Sequence, residues 1–311
     1  MFRFFAIRVL RAVLTIALVV TFAFIVLRLS GDAAYSIMGD NASPEAMAAF
    51  RREWGLDQPL WMQYLQYFVA IFHGELGQSM RGGGPALDLV LSRIPATLML
   101  TLPALLMKLA IGIPAGIYAA LHRDSVIDRA VMVTAVAGYT VPSFVLGLVL
   151  VQLLAIWLAW LPTGGAGGPL HLILPIITLG VGGAAVLARF VRSAMLEVLS
   201  QPYIRTASAK GIPWAAVVSG HALPNAAIPT VTIVGFMVGN LIAGSVVVES
   251  VFSWPGLGNL LVVSVTARDL AVVQCILLLV AAAMVLSNLT VDFLYGFLDP
   301  RLANANSSGG R

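Results

Sequence analysis

The chain has 311 residues, 59% of them hydrophobic and only 10% charged, where a soluble domain carries about 25% charged residues. That deficit excludes an ordinary soluble fold and points to a polytopic helical membrane protein, and the long continuous apolar runs exclude a transmembrane barrel of short alternating strands. A single cysteine, Cys275, excludes an intrachain disulfide framework and a cysteine metal cluster.

Six spans are predicted, at about residues 9–27, 98–121, 131–160, 172–189, 228–248 and 271–297. They divide the chain into residues 1–29 (tail and first transmembrane helix), an extracytoplasmic helical segment 30–97, a five-helix core 98–300 with a cytoplasmic loop 193–227, and a tail 301–311. Arg3, Arg8 and Arg11 precede the first span, which is longer than a signal-peptide core and lacks a small-x-small site after Arg28, so it reads as an uncleaved anchor. With the N-terminus inside, eleven of the 18 basic residues fall on the inner side and six on the outer, Lys108 remaining within a span. Basic residues concentrate on the cytoplasmic side, so both termini are predicted to be cytoplasmic. The net charge of +4 then reflects sidedness, and no nucleic-acid signal is present.

In the segment 30–97, SPEAMAAFRREWG reads as a helix capped by Ser43, with Pro44 in its first turn and Gly55 at its stop. The aromatic run PLWMQYLQYFVAIF reads as a second helix, lying in the membrane interface or covering the bundle. Lys108 sits midway through the second span, too deep for easy snorkelling. It either lines a pathway and meets a carboxylate of cargo, or pairs with a neighbouring helix or subunit. In GYTVPSF, Pro142 predicts a kink near residues 138–142, with or without a cavity-lining role.

Residues 203–229, YIRTASAKGIPWAAVVSGHALPNAAIP, fall on the cytoplasmic side. A helix over about 193–210, a stop at Gly211 and a new helix at Pro213 predict a helix–turn–helix elbow. Small Ala207, Ser208 and Ala209 permit close approach, so the elbow suits docking in a groove of a soluble partner, although an ordinary basic surface loop has the same composition. In VESVFSWPGLGNLL, Pro255 and Gly256 force a turn. Phe252 and Trp254 before it plug the outer end of a pathway or anchor in the interface, and Glu249 is solvated or pairs with a basic group.

The elbow resembles the "EAA loop" of permease subunits of bacterial ATP-binding-cassette importers, Glu-Ala-Ala, three residues, Gly, nine residues, Ile-x-Leu-Pro. From Gly211, nine residues lead to His221-Ala222-Leu223-Pro224; Arg205-Thr206-Ala207 stands in place of Glu-Ala-Ala and His221 in place of Ile. REWGLDQPLWMQYLQYF, GELGQS, RIPATLMLT, IDR with VPSFVLG, WLPTGG with HLILP, ESVFSWPGLG and DFLYGFLDPR extend the resemblance over nearly the whole chain, to permeases of the dipeptide/oligopeptide (nickel) type, first-subunit branch.

The resemblance implies an all-α membrane protein with the type I importer permease fold, in the bacterial cytoplasmic membrane. It implies a heterodimer with a second homologous permease subunit, two ATP-binding-cassette ATPase subunits, an extracytoplasmic solute-binding protein and surrounding lipid. Alternating access driven by the ATPases would move di- or oligopeptides, glutathione or nickel chelates. Arg205, Thr206, Ala207, Ala209, Lys210, Gly211, His221, Leu223 and Pro224 would form the coupling element, and Lys108, Glu249, Phe252, Trp254, Pro255 and Gly256 the pathway and outer gate. The sequence contains no G-x-x-x-x-G-K-[ST] loop, so no cofactor is expected on this chain and ATP is expected to act on partners. An intramembrane enzyme would need a catalytic constellation, but the four histidines lie in separate segments and no acid pair lies within a span. A carrier driven by an ion gradient is the other alternative; Lys108 suits one, but no internal repeat is visible.

Overall fold

A computed structural model of the chain describes residues 2–29, 31–39 and 41–298. The tail 301–311, with Arg301 and Arg311, and the end of the DFLYGFLDPR motif lie outside the described residues. In chain order the helices are α1 (Phe2–Leu29), α2 (Ala33–Met38), α3 (Pro44–Glu53), α4 (Leu60–Phe72), α5 (Ala86–Leu121), α6 (Val126–Thr140) and α7 (Ser143–Leu150), the last continued by a π-turn, Val151–Trp157. Then come α8 (Leu170–Leu199), α9 (Pro202–Ala209) and α10 (Trp214–Val217), which passes through a π-turn, Val218–Ala222, into α11 (Leu223–Gly239). A 3-10 turn (Ala243–Ser245), α12 (Val246–Val251), α13 (Leu257–Thr266) and α14 (Leu270–Leu298) complete the order.

Among the described residues five helical segments are long and apolar enough to cross a membrane, or six when α6 and α7 count as one broken span. The kink expected at Pro142 is therefore a break: the two halves meet at 96°. Pro142 forces it by disfavouring helical geometry in the residue before it, and Val141 is indeed extended (φ −75°, ψ 120°). The fifth span is displaced from the expected 228–248. It begins at Trp214 and stops at Gly239, where Asn240 caps the helix. The helix expected over 193–210 is two helices, because Pro202 pushes Gln201 into an extended conformation (ψ 146°) and then occupies the first turn of α9.

Two compact units are formed, one from Met1–Thr97 with Pro255–Val285, the other from Leu98–Trp254 with the described end of α14. In the first, α3 starts as predicted: the Ser43 hydroxyl accepts from Ala46 N at 3.2 Å, and Gly55 follows the cap at φ +62°. The aromatic helix α4 covers α1, with Phe24 edge-on to Tyr64 at 5.4 Å and the Thr21 hydroxyl 2.8 Å from the Tyr64 hydroxyl. The loop before α5 is tied to the start of α14. Ser79 Oγ donates to Asp269 Oδ2 at 2.5 Å and accepts from Gly82 N at 2.8 Å.

In the second unit α8 is the central helix, with α6, α7 and α11 packed on it. A hydrogen-bonded ion pair joins α6 to α8. Arg192 Nε and Nη2 donate to the two carboxylate oxygens of Asp128 at 2.5 and 2.6 Å, and Asp124 N donates to Asp128 Oδ2 at 3.0 Å. On α5, Gly112 and Gly116 face α8 four residues apart. A Cβ at Gly112 would lie 2.8 Å from Ala184 O, and one at Gly116 would lie 2.5 Å from Ala188 O and 2.7 Å from Val191 Cβ. Small residues at this spacing let membrane helices approach backbone to backbone. Gly116→Ala is expected to destabilise the protein by about 1–3 kcal/mol, because the clash is with a backbone carbonyl that cannot rotate away. A lower thermal midpoint of the purified protein would show it; Gly220→Ala, which meets nothing within 4 Å, serves as the neutral control.

Candidate functional site

The elbow follows directly from the end of α8. Residues Leu170–Leu199 form one helix of 30 residues, about 45 Å at 1.5 Å per residue, against about 30 Å of bilayer hydrocarbon. The helix is therefore long enough to extend beyond the apolar layer. Beyond it α9 closes with a Schellman motif: Gly211 N donates to Ser208 O at 3.0 Å and Ile212 N to Ala207 O at 3.4 Å, with Gly211 at φ +77°. Pro213 then caps α10 in extended geometry (ψ 137°). The predicted Gly-Ile-Pro turn is present, and each residue has a separate backbone reason.

The elbow packs on the core it shares with α5, α8 and α11. Ile204 and Ala207 of α9 are 2% and 7% exposed and pack with Val191, Met195, Val217 and Ala222. Ala207, expected at a docking surface, faces this core instead, and Leu223 is half-buried. The outward residues are Arg205, Thr206, Ser208, Ala209, Lys210 and Gly211, with His221 and Pro224 exposed beyond the turn. Sequence reasoning passed over two exposed aromatics on the same elbow, Tyr203 (43%) and Trp214 (53%). The signal was available: each directly follows a proline at a helix start, where its side chain has little of its own helix to pack on.

A cavity of about 520 Å³ lies within the second unit. Its wall includes Thr101 and Lys108 of α5, Tyr139 at the break between α6 and α7, Gly183 and Phe190 of α8, and Asn240 and Ser245 after α11. The Arg189 guanidinium stacks on the Tyr139 ring at 5.3 Å and on Phe190 at 5.9 Å. Of the two alternatives for Pro142 the structure has the second: it breaks the helix and lines the cavity.

The other pathway residues are not part of that wall. Glu249 is fully buried on α12 and accepts from Ser245 Oγ at 2.8 Å, so it is one hydrogen bond removed from the cavity. Phe252 (1% exposed) packs with Leu174 and Val248, and its carbonyl accepts from Gly165 N at 2.8 Å. Gly164 lies so close to that carbonyl that no Cβ would fit. Trp254 is 4% exposed, and its backbone N–H donates to Glu249 O at 2.8 Å. Burial of this extent rules out interfacial anchoring for both aromatics.

Pro255 and Gly256 belong to the first unit. There the RIPAT motif meets the turn: Thr97 Oγ1 accepts from Leu257 N at 2.7 Å and Arg93 Nη1 donates to Pro255 O at 3.4 Å. Gly256 is the N-cap of α13 and has no side chain to satisfy the first-turn donors, so Thr97, from 160 residues away, takes that role.

Known proteins resemble the chain over most of its length. Residues 112–304 match the family model described as the binding-protein-dependent transport system inner membrane component, and residues 1–101 match the N-terminal model of the same membrane component. Over 289 residues the chain is 44% identical to the glutathione transport system permease protein GsiC of Escherichia coli (strain K12), covering 93% of this chain and 94% of that protein. The GsiC protein of Salmonella typhi matches to the same extent, 44% over 289 residues. Among solved structures, the MetNI methionine ABC transporter in inward facing conformations superposes with a TM-score of 0.58 at 21% identity, covering 68% of this chain and 96% of that one. That likeness shows the fold, an all-helical type I importer permease. The chain belongs to the family of binding-protein-dependent transport system inner membrane components, as a non-catalytic, multi-pass permease subunit of an ATP-binding-cassette importer.

Proposed function

We propose that this chain is one membrane half of an importer for short peptides, with glutathione, itself a tripeptide, as the leading cargo. The cargo reading rests on the 44% identity to permeases named for glutathione, over nearly the full length of both proteins. The other half is a second, homologous permease. Two ATPase subunits supply the energy, and an extracytoplasmic binding protein delivers the cargo.

The observation that carries the mechanism is the elbow at the end of α8. It exposes Arg205, Lys210, Tyr203 and Trp214 while its buried side packs on the core shared with α5, α8 and α11. This is a helix-in-groove handle. Closure of the ATPases pushes α9, and α8 carries the displacement rigidly into the bundle. Both termini and the elbow lie on the cytoplasmic side in this reading, where the basic residues are most numerous. Residues Glu249–Gly256 then belong to the outer gate.

The test is reconstitution of the whole transporter in vesicles. ATP-dependent uptake of glutathione, or of unmodified di- and tripeptides, is expected, with a cysteine in place of Ala209 cross-linking to the ATPase subunits. Uptake driven by an ion gradient without ATPases would favour a carrier and defeat the reading.

A further inference from the structure

Among the described residues Lys108 has no anionic partner. No carboxylate among the described residues lies within ion-pair distance of it, and no hydrogen bond links it to another described residue. A cation at this depth is costly unless water or an anion meets it. Its side chain is also seated deliberately. The stem lies across Gly183 of α8, where a Cβ would come within 2.6 Å of Lys108 Cδ and Cε. Any other residue at position 183 would displace the lysine from the cavity wall.

A second group beside it is equally unpartnered. Thr101, two helical turns from Lys108 on the same face of α5, is 3% exposed, lines the cavity, and its hydroxyl has no hydrogen-bond partner. The contrast with Thr178 is informative. That residue lines the same cavity but donates to Leu174 O at 2.7 Å, the usual resolution for a helical threonine. A free cation and an unsatisfied buried hydroxyl on one helix face describe half of a recognition site. The volume, about 520 Å³, falls in the range of small-molecule sites.

We propose that Lys108, seated on Gly183 and flanked by Thr101, is a subsite for the carboxylate of an anionic cargo in transit through the bundle. The subsite rests on the short-peptide reading above, since every unmodified peptide and glutathione carries a free carboxylate. It adds a point of selectivity in the membrane, separate from the binding protein. The ammonium attracts the carboxylate as the cargo leaves its carrier, Thr101 donates a hydrogen bond, and Asn240, which lines the same cavity, offers an amide. Gly183 acts only through the lysine and is a positioning residue.

The experiment uses the complete reconstituted transporter with its binding protein, and glutathione and unmodified di- and tripeptides as probes. K108M is expected to lower ATP-driven uptake by about tenfold or more, while K108R stays within about threefold of the parent. Affinity of the binding protein for glutathione and co-purification of the other subunits stay unchanged. G183A is expected to lower uptake by about threefold or more in the parent chain and to have no further effect in K108M, since the two act as one unit. Normal uptake by K108M overturns the proposal. So does loss of the second permease subunit from purified K108M, which would assign the lysine to a subunit contact, or an equal effect of G183A in both chains, which would make Gly183 a packing residue. If the unaltered transporter moves neither glutathione nor any peptide, the cargo reading itself falls and takes the subsite with it.

Discussion

Gly211→Pro is expected to reduce ATP-driven uptake by about 100-fold or more, equivalent to about 3 kcal/mol at the coupling step. Three effects act together. Gly211 sits at φ +77°, where proline, held near −65°, cannot go. The substitution removes the N–H that donates to Ser208 O. It also disfavours helical geometry at Lys210, the helix cap. The Schellman closure of α9 is lost, and the outward residues no longer sit in fixed positions relative to α8. Binding of cargo to the delivery protein is unaffected, since that is a separate chain. A graded series separates backbone from contact effects, because Gly211 meets nothing within 4 Å. Asparagine tolerates the left-handed region and should retain nearly full transport. Alanine should fall between, with a strain of about 1–2 kcal/mol. Wild-type uptake by the proline variant would rule out the elbow as the coupling element.

Asp128→Ala is expected to cost about 1–3 kcal/mol of stability, because it removes a two-pronged charged hydrogen bond and leaves the partly exposed Arg192 without its partner. The Asp128 side chain is 3% exposed and that of Arg192 23%. Asp128 also holds Asp124 N, and its own N–H donates to the Ser125 hydroxyl at 3.2 Å, so it organises the start of α6 as well as the ion pair. Loss of monodisperse protein on purification, or a fall of several degrees in the thermal midpoint, is the expected reading. R192K should cost less, because it keeps the charge and loses the two-pronged geometry. The charge-reversed pair D128R/R192D should recover only part of the loss. The first turn of α6 favours a negative residue, and arginine cannot accept from Asp124 N. A midpoint for Asp128→Ala equal to that of the parent would show that the ion pair contributes nothing.

Arg192 lies about two turns before the end of α8, close to the elbow in sequence. Through Asp128 it ties the base of α8 to α6, the first half of the broken span. Tyr139 at the end of α6 and Gly183 on α8 both line the Lys108 cavity, so under the proposed coupling a push on α9 would reach both walls.

The features legible in the sequence share one property: they depend on residues close together along the chain. The apolar runs set the order of the spans. Ser43 with Pro44 started α3, Gly211 with Pro213 made the elbow, and Pro142 interrupted a span, because caps, positive φ and the missing proline N–H act within a few residues. Even here the severity was not legible, since whether Pro142 kinks or breaks a helix depends on what packs against the freed ends.

Only the tertiary structure decided which face of each span looks inward. In a bilayer both the lipid-facing and the core-facing sides are apolar, so the periodicity that orients helices in water is largely silent. For that reason the sequence left Lys108 between pathway and pairing, left Phe252 and Trp254 between plug and anchor, and offered Ala207 to the surface when it belongs to a core. The contacts that fix helix rotation join residues 64, 160 and 190 positions apart, in Asp128 with Arg192, Thr97 with Leu257 and Ser79 with Asp269. Each satisfies a polar group that the apolar interior would otherwise leave bare. Such a partner is chosen by three-dimensional proximity, which spacing along the chain does not encode.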